Sequence, residues 1–196
     1  MIRNVIFDVG NVLERFDPDF LLSKLVADDA LRASLRGKIF GTPVWLMLDR
    51  GTVEEREALE RFCARHPQWR EAAANILAHW TEHMRPFEHS VPLLKRLRAE
   101  GYRLFLLSNY HAPAFWRVSW HEALPDLTDG IMLSSDARLL KPDPALYQRL
   151  CEAYGLEPGQ SLFLDDQAAN VEVAEYLGFQ TLHVLDPDGL ADLRVG

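Results

Sequence analysis

Four polar clusters in this chain have the types and order needed to handle a phosphate ester. They are Asp8 within Phe7-Asp8-Val9-Gly10-Asn11-Val12, Ser108-Asn109, Lys141-Pro142-Asp143-Pro144, and Asp165-Asp166. A carboxylate such as Asp8 can act as nucleophile on phosphorus and divide one hard displacement into two easier ones. Both reactants are anions, so positive charge must sit between them. A hard divalent ion, Mg²⁺ above all, meets that need when carboxylate and carbonyl oxygens hold it and some of its waters remain. Asp8, Asp165 and Asp166 offer carboxylates, and the Gly10 carbonyl offers a neutral ligand nearby. Lys141 would neutralise Asp8 and the phosphoryl oxygens, keeping the carboxylate ionised. The Ser108 hydroxyl and the Asn109 backbone N–H would donate to the same oxygens. Catalysis of this kind is mostly positioning and charge stabilisation.

What must position these residues is a parallel sheet. Segments 4–9, 103–108, 130–134, 161–165 and 180–185 are short, rich in Val, Ile, Leu or Phe, and alternate little, as strands covered on both faces do. Helical patterns separate them. Ser90 reads as an N-cap, with Leu93, Leu94 and Leu97 on one face and Gly101 at the end. Asp143-Pro144 opens a second helix, with Leu146, Leu150 and Tyr154 on its stripe and Gly155 stopping it. A third spans about 168–177 and stops at Gly178. Strand–helix alternation from residue 86 onward predicts an α/β fold, a Rossmann-like doubly wound open sheet. In such a sheet the ligand crevice lies beyond the carboxyl ends of the strands, where all four clusters fall. Residues 14–85 lack strand signals. Thr52-Val53-Glu54-Glu55 reads as a capping box, and a further helix as 68–84. The expected division is a core of 1–13 and 86–196 interrupted by a helical insertion, 14–85.

The four clusters resemble, in order, the four motifs of the haloacid dehalogenase superfamily of hydrolases, over most of the chain. Its α-helical cap is found where the insertion lies. The Asp-x-Gly-Asn-Val start and Phe163-Leu164-Asp165-Asp166 followed by Asn170 resemble the bacterial α-D-glucose-1-phosphate phosphatase group. The resemblance implies Asp8 as nucleophile, Ser108 and Lys141 as phosphate binders, and Asp166 as metal ligand. Asp165 is expected to be the weaker ligand or to stand behind it. The substrate implied is a small phosphorylated metabolite, a sugar phosphate such as glucose 1-phosphate.

One position departs from the pattern. Phosphatases of the superfamily usually carry a second Asp two residues after the nucleophile, as general acid and base; here that residue is Gly10. Either activity is confined to good leaving groups, or another residue supplies the proton, with His111 as a candidate. A sugar 1-phosphate releases an anomeric hydroxyl, more acidic than an ordinary alcohol, and depends less on such an acid. Two rivals follow. One is a 2-haloacid dehalogenase, a branch that also lacks the second Asp but needs no metal; the acidic pair argues against it. The other is a module that binds phosphate esters and has lost turnover.

A net charge of −8 over 196 residues removes the electrostatic footprint expected of a nucleic-acid or anionic-lipid binder. No segment approaches the ~18 apolar residues of a membrane span, and residues 1–8 run straight into a strand, so the expected address is cytoplasmic. Cys63 and Cys151 are too few for a disulfide scaffold. His79 and His83 are spaced as two metal ligands on a helix would be, with no third nearby in sequence; a solvated face is expected. In the insertion, Trp45 is placed to stack on a sugar or to pack within the cap, and Arg50, beside Asp49 and Gly51, to reach hydroxyls or phosphate. Trp116 and Trp120 are expected to pack.

Overall fold

The computed structural model describes residues 1–195. The apolar segments form one sheet of β1 (Asn4–Phe7), β2 (Arg103–Ser108), β3 (Gly130–Leu133), β4 (Ser161–Asp165) and β5 (Gln180–His183). All pairs are parallel, in the order β3-β2-β1-β4-β5. Successive side chains of a strand point to opposite faces, and both faces here are covered. Val5, Phe7, Leu104, Leu106 and Leu164 join one core; Ile6, Phe105, Leu107 and Phe163 join the other, with Tyr147 and Leu150. This explains why the strands read as continuous apolar runs.

Between β1 and β2 lie α1 (Pro18–Leu25), α2 (Asp29–Leu35), α3 (Pro43–Asp49), α4 (Glu55–Cys63), α5 (Arg70–His79) and α6 (Ser90–Ala99). The chain leaves the sheet at Glu14 and returns at Pro86, side by side: Arg15 N donates to Arg85 O (3.2 Å) and Phe87 N to Leu13 O (3.1 Å). Single turns α7 (Ala112–Phe115), α8 (Leu124–Leu127) and α9 (Ser134–Ala137) flank β3. α10 (Pro144–Tyr154) follows Asp143, whose carboxylate accepts from Ala145 N, and ends at Gly155 in the left-handed region, φ 62°. α11 (Ala168–Tyr176) completes the layer before β5.

Three local expectations change. Ser90 is not the cap of α6; His89 is, and the Ser90 hydroxyl instead donates to Leu13 O at 2.6 Å, tying the helix to the end of the first loop. The capping box at Thr52 does not form, because Thr52 Oγ1 and N both bond Met47 O and close the end of α3. The helix expected over 68–84 is α5 with 3₁₀ turns at Pro67–Trp69 and Trp80–His83. The second, tighter turn carries buried Trp80 into an aromatic cluster with Phe16, Phe40 and Trp45.

Candidate active site

Strand order reverses at β1, whose neighbours β2 and β4 come later in the chain and lie on opposite sides. The crevice of such a sheet opens at that switch point. Asp8 follows β1 and its amide donates to Leu164 O at 2.9 Å, so it stands between the ends of β2 and β4. Ser108 and Asp165 end those two strands. Sequence positions 100 and 157 residues from Asp8 thus become its neighbours because of strand order alone.

The Asp8 carboxylate is held asymmetrically. Oδ1 accepts from Val9 N (2.6 Å) and Ser108 Oγ (2.8 Å) and pairs with Lys141 Nζ (3.0 Å). Among the described residues, none donates to Oδ2. Lys141 Nζ also bonds Asp165 Oδ2 at 2.6 Å. Asp165 is fully buried, and its other oxygen accepts from Gln167 N (2.8 Å) and Asn170 Nδ2 (2.9 Å). Asp165 therefore anchors Lys141, whereas Asp166, half-buried, faces the cavity with Oδ2 near Gln167 Nε2 (2.7 Å) and Asn11 Nδ2 (3.4 Å). Asn109 acts on Lys141 through the backbone, accepting from Lys141 N (2.8 Å) and donating to Lys141 O (3.0 Å).

Two buried carboxylates share one ammonium here, and the titration behaviour follows. Burial raises the Asp8 pKa, Lys141 opposes it, the Asp165 charge adds to it, and the result is about 7. Burial alone would lower Lys141, but the two carboxylates outweigh it and hold the ammonium above its usual value.

Above Asp8 is a cavity of about 170 Å³. Asp8, Gly10, Ser108, Asn109 and Asp166 form one side. Phe16, Trp45, Trp80 and Met84 form an apolar wall, and Glu14, Asp49 and Tyr110 supply further polar groups. Trp45 is both packed and cavity-lining, its ring 5.3 Å from that of Trp80. Arg50 is exposed and does not line the cavity; its neighbour Asp49 does. The reason is helical phase and one glycine. Gly51, at φ +70°, lies so close to α9 that a Cβ would stand 2.5 Å from Ser135 O. At that approach the Ser134 hydroxyl donates to Asp49 O, and Asp49 itself is buried at the cavity. Burial, and the nearby Asp8 charge, raise Asp49 well above the usual carboxylate range against the opposing His111 N–H.

His111, the candidate substitute acid, turns away. It does not line the cavity, and its Nδ1 lies 3.7 Å from Glu55 Oε1. Nor does the backbone demand glycine at position 10, where an added Cβ would meet only Phe16 Cβ, at 3.8 Å. His79 Nδ1 bonds Glu82 Oε1 at 2.8 Å on the surface. Trp116 is half exposed, but Trp120 donates its indole N–H to Glu14 Oε2 at 2.8 Å, a role the sequence spacing did not indicate. Asn11 has a role that its place in the first motif does not indicate. It adopts φ 55°, which Asn tolerates, and accepts from Phe16 N, shaping the loop after Asp8.

A family model for haloacid dehalogenase-like hydrolases matches residues 2–178. The chain belongs to that family. Among its relatives is a D-ribitol-5-phosphate phosphatase of Bacteroides thetaiotaomicron, 27% identical over 99% of this chain and 96% of that one. Another is a sesquiterpene phosphatase of Aspergillus oryzae, 25% identical over 94% and 90%. A haloacid dehalogenase-family enzyme of B. thetaiotaomicron, solved with magnesium and inorganic phosphate, shares the fold at TM-score 0.76 and 23% identity, covering 93% of both chains. The L-2-haloacid dehalogenase of Xanthobacter autotrophicus, with chloropropionic acid covalently bound, gives 0.67 at 20%, covering 92% of this chain and 76% of that one. No helix among the described residues is long and apolar enough to cross a membrane.

The haloacid dehalogenase-like site fits a hard divalent cation. Asp8, Asp165 and Asp166 present carboxylate oxygens within 4.8 Å of one another, and Lys141 alone leaves this cluster with net negative charge. Every donor is oxygen, the chemistry Mg²⁺ prefers. Asp8, Gly10 and Asp166 line the cavity, whereas Asp165 is already occupied by Lys141, Gln167 and Asn170. Because Asp8 holds a proton below about pH 7, cation and proton compete. Mg²⁺ affinity should rise by up to about tenfold per unit from pH 6 to 7 and level off above, with proton release on binding below pH 7. Calorimetric titration in buffers of different ionisation enthalpy measures both; an affinity flat across that range would contradict the competition.

Proposed function

We propose that this chain is a Mg²⁺-dependent phosphatase of small phosphate monoesters, sugar or polyol phosphates such as glucose 1-phosphate, working through an aspartyl-phosphate on Asp8. Residues 14–85 would act as the cap that closes over the leaving group. The observation that carries the reading is the Asp8 carboxylate. Val9, Ser108 and Lys141 occupy Oδ1, and Oδ2 is left for attack.

Oδ2 attacks phosphorus as the ester P–O bond breaks; Ser108, on the cavity wall, would donate to a phosphoryl oxygen, and Lys141, buried outside the cavity lining and paired with Asp8 Oδ1, would offset the charge. A bound Mg²⁺, held by Asp8, Asp166 and the Gly10 carbonyl, would neutralise charge between nucleophile and phosphate. The departing oxygen needs a proton. Asp49 is the cavity carboxyl whose pKa burial raises well above the usual range, favouring the protonated form, and it takes the acid role left vacant at Gly10. Water then hydrolyses the acyl phosphate and restores Asp8.

A panel of monoesters assayed with Mg²⁺ and with chelator tests the reading. Turnover of phosphate esters should require the metal and exceed halide release from chloroacetate. Halide release that ignores chelator would install the dehalogenase reading, and binding of esters with no turnover the binding-module one. Asp49→Asn should cost about 10²-fold in kcat/KM on glucose 6-phosphate, whose leaving alcohol is a poor one. The loss should be several-fold smaller on glucose 1-phosphate, with its more acidic anomeric hydroxyl. Wild-type activity on alkyl esters should fall as pH rises through the Asp49 titration, because the donor is then ionised. Equal losses on both sugars would remove Asp49 as the acid.

A further inference from the structure

Two arms of the chain hold the Asp8 carboxylate, and they meet again at one buried acid. The first arm is the loop that starts at Val9 and carries Gly10 and Asn11. It closes on Glu14 through the backbone: Glu14 N donates to Val9 O (3.0 Å), Asn11 N donates to Glu14 O (2.7 Å), and Gly10 and Glu14 form a β-bridge. Asn11 Nδ2 in turn reaches Asp166 Oδ2 at 3.4 Å. The second arm runs from Ser108 to Tyr110, with Ser108 on Asp8 Oδ1 and Asn109 on the Lys141 backbone.

The Glu14 side chain belongs to the first arm and is enclosed by the second and by the segment after it. It is fully buried. Its Oε2 accepts from Trp120 Nε1 (2.8 Å) and lies 3.1 Å from His121 Nε2. The other imidazole nitrogen, Nδ1, is 2.8 Å from Phe115 O, a group that can only accept, so Nδ1 carries a hydrogen and the ring is held from both sides. The Tyr110 phenol lies against Glu14; burial, and then the Glu14 charge, hold its pKa well above the usual range. Tyr110 N donates to Ser134 Oγ at 2.9 Å, which fixes that residue independently. The reaction on Asp8 uses none of these contacts. Apolar side chains of similar volume often fill such a space with no loss of stability, so packing by itself does not account for an acid here.

We propose that Glu14 is a positioning residue: clamped by Trp120 and His121 beside Tyr110, it sets the place of the Gly10 carbonyl and Asn11 relative to Asp8 and Asp166. This rests on the phosphatase reading and deepens it, because the groups so placed are those that would hold Mg²⁺ beside the nucleophile. Residues standing behind metal ligands typically contribute about 10–100-fold to metal affinity. Glu14 acts through the backbone of a short loop rather than on a ligand directly, so its effect belongs at the lower end of that range.

The test is Mg²⁺ affinity, measured by calorimetry without substrate and well below the melting temperature of each variant. Glu14→Ala removes every side-chain contact and should weaken binding by at least about tenfold. Trp120→Phe removes only the indole N–H and should weaken it by about three- to tenfold. Glu14→Gln keeps the length and an acceptor for that N–H, so it should stay within about threefold of wild type. Leu150→Ala, in the core on the other face of the sheet, lowers Tm by leaving a cavity and should leave Mg²⁺ affinity unchanged. If Glu14→Ala does not fold, Trp120→Phe decides. Affinity that is unchanged in Trp120→Phe, or that falls as much in Leu150→Ala, makes the cluster a matter of stability alone and overturns the proposal. A loss in Glu14→Gln as large as in Glu14→Ala overturns it too, since charge and not position would then be at work. Wild-type protein that binds no Mg²⁺ counts against the phosphatase reading itself, whereas wild-type binding that the variants share counts against the anchor alone.

Discussion

Asp8→Asn should reduce turnover of any phosphate ester by at least about 10³-fold while leaving the protein folded. The amide keeps the shape and an acceptor for Val9 N and Ser108 Oγ, the two contacts that fix the side chain. What it lacks is the anionic oxygen that bonds phosphorus. The same change predicts a stability effect of opposite sign. The folded-state pKa of Asp8 lies near 7, above the ordinary carboxylate value. The folded protein therefore binds a proton more tightly than the unfolded chain, and stability contributed by this group declines as pH climbs from about 4 to 7. The amide does not titrate. In chelator at pH 8, Asp8→Asn should melt at or above the wild-type temperature. At pH 5 the advantage should shrink. A variant that loses turnover only because it unfolds would reverse this order and would falsify the nucleophile assignment as tested by activity alone.

Lys141→Met should be the most destabilising single change at the site. Its ammonium is the shared cation of Asp8 and Asp165, with side chains almost wholly excluded from solvent. Removing one partner of a buried ion pair strands the other charge and costs about 3–5 kcal/mol. For a chain of this size that lowers Tm by about 10 °C. Asp165→Asn added to Lys141→Met should recover part of the loss, because one stranded carboxylate disappears. Denaturant midpoints of the two single variants and the double variant measure the coupling. Saturating Mg²⁺ should also recover stability in Lys141→Met, since a divalent cation replaces the missing charge. Additive effects with no recovery would mean that Lys141 stabilises by packing over Phe163, whose ring lies 5.6 Å from Nζ, rather than by charge.

Much of the fold was legible because its signals are local. Short apolar runs with β-branched and aromatic residues, ended by polar clusters, identify strands buried on both faces, and all five are present within a residue or two of their expected ends. Asp143-Pro144 and Gly155 bracket α10 as their backbone preferences require. Ser90 and Thr52 misled for one reason. Each hydroxyl is a good cap by propensity, yet each found a carbonyl, Leu13 O or Met47 O, made available only by packing. The segment between β1 and β2 was visible as helical, but its 3₁₀ break at Trp80 was not, since that break follows from an aromatic cluster of Phe16, Phe40, Trp45 and Trp80.

The candidate site divides along the same line. Asp8, Ser108 and the acidic pair could be picked out from sequence because a parallel sheet must bring its strand ends to one rim, whatever its detailed packing, and Lys141 from its place in the loop beyond β3 and α9. Residue type and place along the chain therefore sufficed for these. Glu14, Asp49, Tyr110 and Trp120 carry no such mark, being ordinary residues in helical or loop sequence. Only tertiary structure decided that Asp49 rather than Arg50 or His111 enters the cavity, through the close approach at Gly51. The same holds for Glu14, which Trp120 and His121 engage through one oxygen in the buried layer beside Tyr110. Strand topology follows from periodicity, which is written residue by residue. The direction and pairing of a buried polar group depend on what distant segments bring beside it, and no local pattern encodes that.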